Sequence, residues 1–273
     1  MSCVYSIVFD FDAHTRGVTM IHITKELLIN ELKTKTPTQI AKQFGCHAET
    51  IRRKIKNFQI KRSRHSHLIH DTLFSQWNTD MAYILGFTLA DGNVNTSLHH
   101  HQIAYQLQSG DEEILQYIKS VVQPTAKIYR YDRRNVNGSI SHVSHLVFSS
   151  KAMVRDLETL GCVPNKTYVD LRMPNVPKQF LGDFVRGVFD GDGCVTSSGK
   201  KAWANISCNS VRFLEDLVTN TGFGYVSYSD KPPRFVCASK SNMQRFYDLM
   251  YVNNLAFKLE RKYIKFKEIL YGQ

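Results

Sequence analysis

Apolar and polar positions divide the chain into stretches of different period. Two apolar runs, 4–11 and 18–23, read as strands paired across a turn at 14–17, and residues 1–23 carry no functional assignment. From residue 24 the period becomes helical. A first helix is predicted over 24–33. Thr36, Pro37 and Gln39 then supply an N-cap, a proline at the first helical position and a capping-box glutamine. This second helix carries Ile40 and Ala41 and stops at Phe44-Gly45-Cys46. A third helix is predicted over 47–57, with Ile51 and Ile55 one turn apart. Two short helices around a glycine turn make a helix-turn-helix pattern, assigned to 24–60.

Residues 61–78 read as a basic linker rich in His and Ser. Beyond it the pattern repeats. Segment 79–91 and segment 180–192 are each helical, each with a mid-helix glycine, and each ending in Asp-Gly. In the first copy a strand follows with Ile103, Tyr105 and Leu107 alternating, then a helix over 109–120. A hairpin of 127–134 and 141–148 comes next, turning at 135–138, and a helix over 150–160 closes the copy. The second copy predicts a strand near 202–207, a helix over 210–219, a hairpin turning at Lys231-Pro232-Pro233, and helices starting near Ser241 and Glu260. Both copies read as αββαββα, an α+β class, with halves at 79–174 and 175–273.

Composition changes this picture in one direction. The 273 residues carry a net charge of +11, which favours a polyanionic partner, because each neutralised phosphate releases counterions. On the third N-terminal helix, Thr50, Arg52, Arg53, Lys54 and Lys56 are phosphate and base-edge chemistry. Lys61, Arg62 and Arg64 extend the basic surface into the linker. The six cysteines show no CxxC spacing, which argues against a zinc site and for a reduced, intracellular protein. No run approaches the roughly 20 apolar residues of a membrane span. His99-His100-His101 reads as a solvated turn, since three consecutive side chains cannot converge on one ion.

The two Asp-Gly helix ends carry the chemistry. A carboxylate at a helix C-terminus meets partial negative charge, so a matched pair, Asp91 and Asp192, calls for a compensating cation. Carboxylates and helix-end carbonyls are hard ligands suited to Mg²⁺. Gly92 and Gly193 read as ordinary helix caps. Ala82, Gly86 and Ala90 recur at four-residue spacing, as do Asp183, Gly187 and Gly191. Small residues on one face let two helices pack closely. Packed in parallel, they bring Asp91 and Asp192 side by side, an arrangement suited to metal-assisted phosphodiester hydrolysis.

Ile84-Leu85-Gly86-Phe87-Thr88-Leu89-Ala90-Asp91-Gly92 and Val185-Arg186-Gly187-Val188-Phe189-Asp190-Gly191-Asp192-Gly193 resemble two copies of the LAGLIDADG motif. The resemblance covers about residues 71–270. It implies a homing endonuclease in which each motif helix lies between two αββαββα halves that form a DNA-binding saddle. It also implies metal ligation by Asp91 and Asp192, with the backbone carbonyls of Ala90 and Gly191, and Mg²⁺ or Mn²⁺ as cofactor. Basic active-site residues map to Lys166 and Lys262, which follow their aspartates by about 75 and 70 residues. Leu89 stands where the motif name has an acid. Asp190 holds that place in the second copy, as a supporting residue.

The resemblance further implies a monomer acting on a long, specific double-stranded DNA target. The strands would face DNA with Tyr129, Tyr131 and Arg133, or with the opposite set Arg130, Asp132 and Arg134; the pattern does not choose. In the second half, Ser227, Ser229, Lys231 and Arg234 are the candidates. Alternatives are a non-cleaving transcription regulator on the same scaffold, or an intron RNA maturase. RNA is not the expected partner, because an A-form helix hides its major groove. A free-standing or intron-encoded reading frame is expected rather than an intein.

Overall fold

A computed structural model describes residues 23–32, 35–60, 69–97, 101–164, 170–199, 201–229, 231–252 and 257–272. The strands expected within 1–22 lie outside them. The chain separates into two compact units, Met1–Leu68 and Ile69–Gln273.

The first unit holds helices α1 (Lys25–Glu31), α2 (Pro37–Gln43) and α3 (Ala48–Asn57). Thr24 caps α1, and Thr36 with Gln39 closes the expected capping box on α2. Gly45, at φ +62°, makes the left-handed turn that a side chain would strain. Ile23, Leu28, Ile40, Ala41, Ile51 and Ile55 form a small core. Because Ile51 and Ile55 turn inward, Arg52, Arg53 and Lys56 of α3 are left exposed, with Thr50 and Lys54 half-buried.

The second unit contains the repeat. Its first half runs α4 (Thr79–Asp91), β1 (Gly92–Thr96), β2 (His101–Gln108), α5 (Glu112–Val122), β3 (Tyr129–Arg134), β4 (Ile140–Ser149) and α6 (Lys151–Thr159). The second runs α7 (Leu181–Asp192), β5 (Gly193–Ser198), β6 (Lys201–Ser207), α8 (Val211–Thr221), β7 (Tyr225–Ser227), β8 (Arg234–Cys237) and α9 (Lys240–Tyr251), with α10 (Glu260–Tyr271) added at the end. Each half is αββαββα. The two four-stranded antiparallel sheets have matching orders, β1-β2-β4-β3 and β5-β6-β8-β7.

Periodicity explains which side of each sheet is covered. Ile103, Tyr105 and Leu107 of β2 are buried against Ile114, Leu115 and Ile118 of α5, while Gln106 and Gln108 point to the open side. Residues 69–78 join this unit instead of continuing the linker, because Leu73 and Phe74 are buried in its core. The strands β1 and β5 follow the motif helices directly and are short and largely polar, so periodicity barely marks them. Gly92 and Gly193 are extended, not left-handed caps. A Cβ at Gly92 would lie 2.7 Å from the Thr88 carbonyl, and one at Gly193 would lie 2.2 Å from the Phe189 ring. These glycines allow an abrupt helix-to-strand turn, so close approach is the reason for them.

Candidate active site

The site is built on α4 and α7. A Cβ at Gly86 would lie 2.1 Å from the Phe184 carbonyl oxygen, and one at Gly187 would lie 2.1 Å from that of Tyr83. Farther along, a Cβ at Gly191 would meet the Ala90 Cβ at 2.4 Å and the Asp91 Oδ2 at 3.3 Å. These contacts advance together along both helices, so the helices run parallel and their C-terminal ends meet. The last residues of the two helices are Asp91 and Asp192, both exposed. The Asp91 carboxylate thus sits against the residue that precedes Asp192.

Lys262, three residues into the start of α10, supplies a cation to this end. Its Nζ donates to the carbonyls of Phe189 and Asp190 at 2.8 Å, Gly193 at 2.7 Å and Gly191 at 3.1 Å. The side chain is buried, which lowers its pKa; the charges of Asp190 and Asp91 oppose that shift. The ammonium is therefore aimed inward, at the negative end of α7, where a helix dipole favours it.

This placement bears on metal binding. Among the described residues no three His, Cys, Asp or Glu side chains converge on one point. The donor set at the helix ends is two carboxylates, and these fit a hard divalent cation. The Gly191 carbonyl, expected as a ligand, already accepts the Lys262 ammonium, and a second cation there would meet it at close range.

Behind the acids lies a buried polar cluster that the sequence pattern did not reveal. Arg186 is 1% exposed. Its Nε donates to the Phe257 carbonyl and its Nη1 to the Met250 carbonyl, both at 2.6 Å, and its Nη2 pairs with Asp183. Burial raises the Asp183 carboxyl, and the neighbouring Arg186 charge counters it. The Tyr83 ring of α4 lies 5.5 Å from the Arg186 guanidinium, and its hydroxyl donates to Asp190 Oδ2 at 2.9 Å. The Leu259 amide donates to the same oxygen at 3.0 Å. Burial pushes the Asp190 carboxyl up to about 6.

Register settles which strand residues share a face. Arg130 pairs across from Ser144, and Leu107 does too, so Arg130, Asp132 and Arg134 lie on the helix-covered side. Arg130, expected as a nucleic-acid contact, is instead held by Glu112 at the start of α5, with Nε and Nη2 at 2.6 and 2.5 Å. This pairing, with the Ser144 hydroxyl, pulls the Glu112 carboxyl down to about 2. Tyr129, Tyr131 and Arg133 pair with His145, Val143 and Ser141 on the open side. That side also carries Asn93, Asn95, Gln102 and Gln106, which the sequence pattern did not single out. In the second sheet, Arg234 shares the open side with Ser207 and Ser227, and Thr196, Trp203 and Asn205 join them. Lys231 is exposed in the β7–β8 turn. Lys61, Arg62, Arg64 and Lys166 lie outside the described residues, as do His99 and His100.

No protein-family model and no curated protein matches the chain. Solved structures do. A DNA-bound homing endonuclease, I-WcaI, aligns over 76% of this chain and 97% of its own, with a TM-score of 0.53 and 14% identity. The LAGLIDADG meganuclease I-AabMI, bound to uncleaved DNA, aligns over 71% and 89%, at 0.49 and 12%. The N-terminal LAGLIDADG domain of WhiA aligns over 74% and 97%, at 0.44 and 13%. The alignment with I-WcaI, together with the paired sheets and helices, identifies the fold.

Proposed function

From a chain with the LAGLIDADG fold, we propose a sequence-specific double-strand DNA endonuclease that acts as a monomer inside the cell. The observation that carries this is the reciprocal glycine contact, which brings the exposed carboxylates of Asp91 and Asp192 together at the end of two parallel helices in one chain. Asp91 and Asp192 would hold Mg²⁺ or Mn²⁺, with the Ala90 carbonyl beside them. The bound ion supplies activation of water and stabilisation of the leaving oxygen.

The protein's own residues do the rest. Lys262 offsets the negative end of α7 and places positive charge behind the acids, where it would make the potential met by a phosphate at the exposed carboxylates less negative. Lys166 is the matching candidate in the first half. The open sheet faces present amides, hydroxyls, aromatic rings and Arg133 and Arg234, which suit base edges and phosphates of a long duplex target. Thr50, Arg52, Arg53, Lys54 and Lys56 of α3 would add a second contact in the manner of a helix-turn-helix, raising avidity through the tether.

The test is cleavage of a library of duplexes in Mg²⁺ by wild type, Asp91→Asn, Asp192→Asn and the double variant. Metal-dependent double-strand cuts at one site are expected. Each single variant should slow at least one strand, and the double should abolish cutting. Tight sequence-specific binding with no cutting in Mg²⁺ or Mn²⁺ would favour a transcription regulator instead.

A further inference from the structure

Asp190 stands where the first copy has Leu89, and the proposed chemistry assigns it no role. Its surroundings do. One oxygen, Oδ2, accepts both the Tyr83 hydroxyl of α4 and the Leu259 amide. Leu259 is the N-cap of α10, and its side chain makes no capping bond, so the entry to this helix is held from outside. Lys262 lies in the first turn that follows, with its Nζ among four carbonyls at the end of α7. The other side of the same turn is tied to α5: Arg261 pairs with Asp111 at 2.5 and 2.6 Å, and the Glu260 amide donates to Glu113 at 3.3 Å. Those ties are exposed and held through long side chains. The Asp190 bonds are buried and come from the motif helix itself.

We propose that Asp190 is a positioning residue: it fixes the start of α10 and so seats the Lys262 ammonium behind Asp192. This rests on the reading of Asp192 as part of a cleavage centre. It goes beyond that reading in making the two halves unequal, since Leu89 at the equivalent place is apolar and buried. It also joins the halves chemically, because the second donor to Asp190 comes from α4.

Asparagine at 190 can keep the geometry. Its amide oxygen can take both donors at the Oδ2 position. Its NH₂ then falls where Oδ1 is buried without a hydrogen-bond partner among the described residues. Leucine, the first-half residue, removes the acceptor and strands two donors. The test is acylation of the full-length protein with acetic anhydride, read by mass spectrometry lysine by lysine, alongside circular dichroism to establish folding. In wild type and Asp190→Asn, Lys262 should react far more slowly than the exposed Lys265 and Lys267. In Asp190→Leu it should react on the order of tenfold faster than in wild type, the scale of losing the one of the two buried hydrogen bonds that holds Leu259 at the start of α10. If the single variant does not fold, Tyr83→Phe/Asp190→Leu removes one of the stranded donors and takes its place.

Cleavage is read on the same proteins, with Asp190→Asn expected near wild type and Asp190→Leu slowed by about the same factor as Lys262 is exposed. A folded leucine variant whose Lys262 stays as protected as in wild type would overturn the proposal, as would a folded asparagine variant that loses the protection. If wild type cuts no DNA, the endonuclease reading fails while the acylation result still decides the role of Asp190.

Discussion

The two motif helices follow one backbone plan and bury different chemistry. In α4, residues 81–89 are all buried, and the polar ones among them, Thr88 and Tyr83, carry only hydroxyls. In α7 the same stretch buries Asp183, Arg186 and Asp190. Their counterparts in α4 are Ala82, Leu85 and Leu89. At the helix ends the contrast continues. The Thr88 carbonyl has the Cys162 thiol nearby at 4.0 Å, where the Phe189 carbonyl accepts the Lys262 ammonium. A repeat can therefore conserve its contact geometry, set by glycines, while one copy takes on the charges. The helix that packs mainly by apolar fit satisfies its two buried hydroxyls with hydrogen bonds, Tyr83 to Asp190 and Thr88 to Ile84 and Tyr105. The helix that buries charge needs a partner for each, and it draws them from α4, α9 and the entry to α10.

Making the second helix like the first should have the largest effect. Arg186→Leu copies Leu85 and leaves Asp183 and the Met250 and Phe257 carbonyls unpaired inside the protein. A loss of about 3–5 kcal/mol is expected in urea unfolding. Adding Asp183→Ala, which copies Ala82, should recover much of it, since both ends of the pair are then gone. A single variant that costs less than about 1 kcal/mol would mean that the buried charges do not distinguish the halves.

Changing what the helices share should matter next, and equally. Gly86→Ala and Gly187→Ala each drive a methyl to 2.1 Å from a backbone carbonyl of the opposite helix. Backbone cannot swing aside as a side chain can, so the helices must separate. Each should cost about 2–3 kcal/mol in thermal unfolding, despite alanine's better helix propensity. A large inequality between the two would show that the contact is not reciprocal in energy, and that one half sets the spacing.

The smallest effect concerns a device of the first half. Glu112 is held at about 2, below the ordinary 4.5, chiefly by Arg130. A depressed carboxyl stabilises the fold above its unfolded value, and that contribution is lost as pH falls from about 4.5 through about 2. Arg130→Ala should flatten the acid limb of the stability curve in that window and leave pH 7 cleavage near wild type. A greatly weakened DNA interaction in that variant would return Arg130 to the binding face.

Much of this was legible in the residues. The capping box at Thr36, the alternation of Ile103, Tyr105 and Leu107, and the stripe of Ala82, Gly86 and Ala90 each express a local rule, in which a side chain's role follows from its spacing along one element. The paired Asp-Gly ends were legible for the same reason, since a repeat displays its chemistry twice. The face of β3 was not, because all six of its residues are exposed and alternation has no apolar set to mark. Register against β4 decided it.

The sequence by itself determined most of the helices, the longer strands and the small-residue stripes of the two motif helices, because helix period, strand period and close-packing glycines act over a few residues. Only the tertiary structure decided where the charges go. Arg186 and Lys262 would be read as surface residues on polarity alone. Each is buried because carbonyls from elements more than sixty residues away, or from a helix end, converge on it and replace the water it gives up. That convergence depends on how the chain returns upon itself, and no local pattern encodes it.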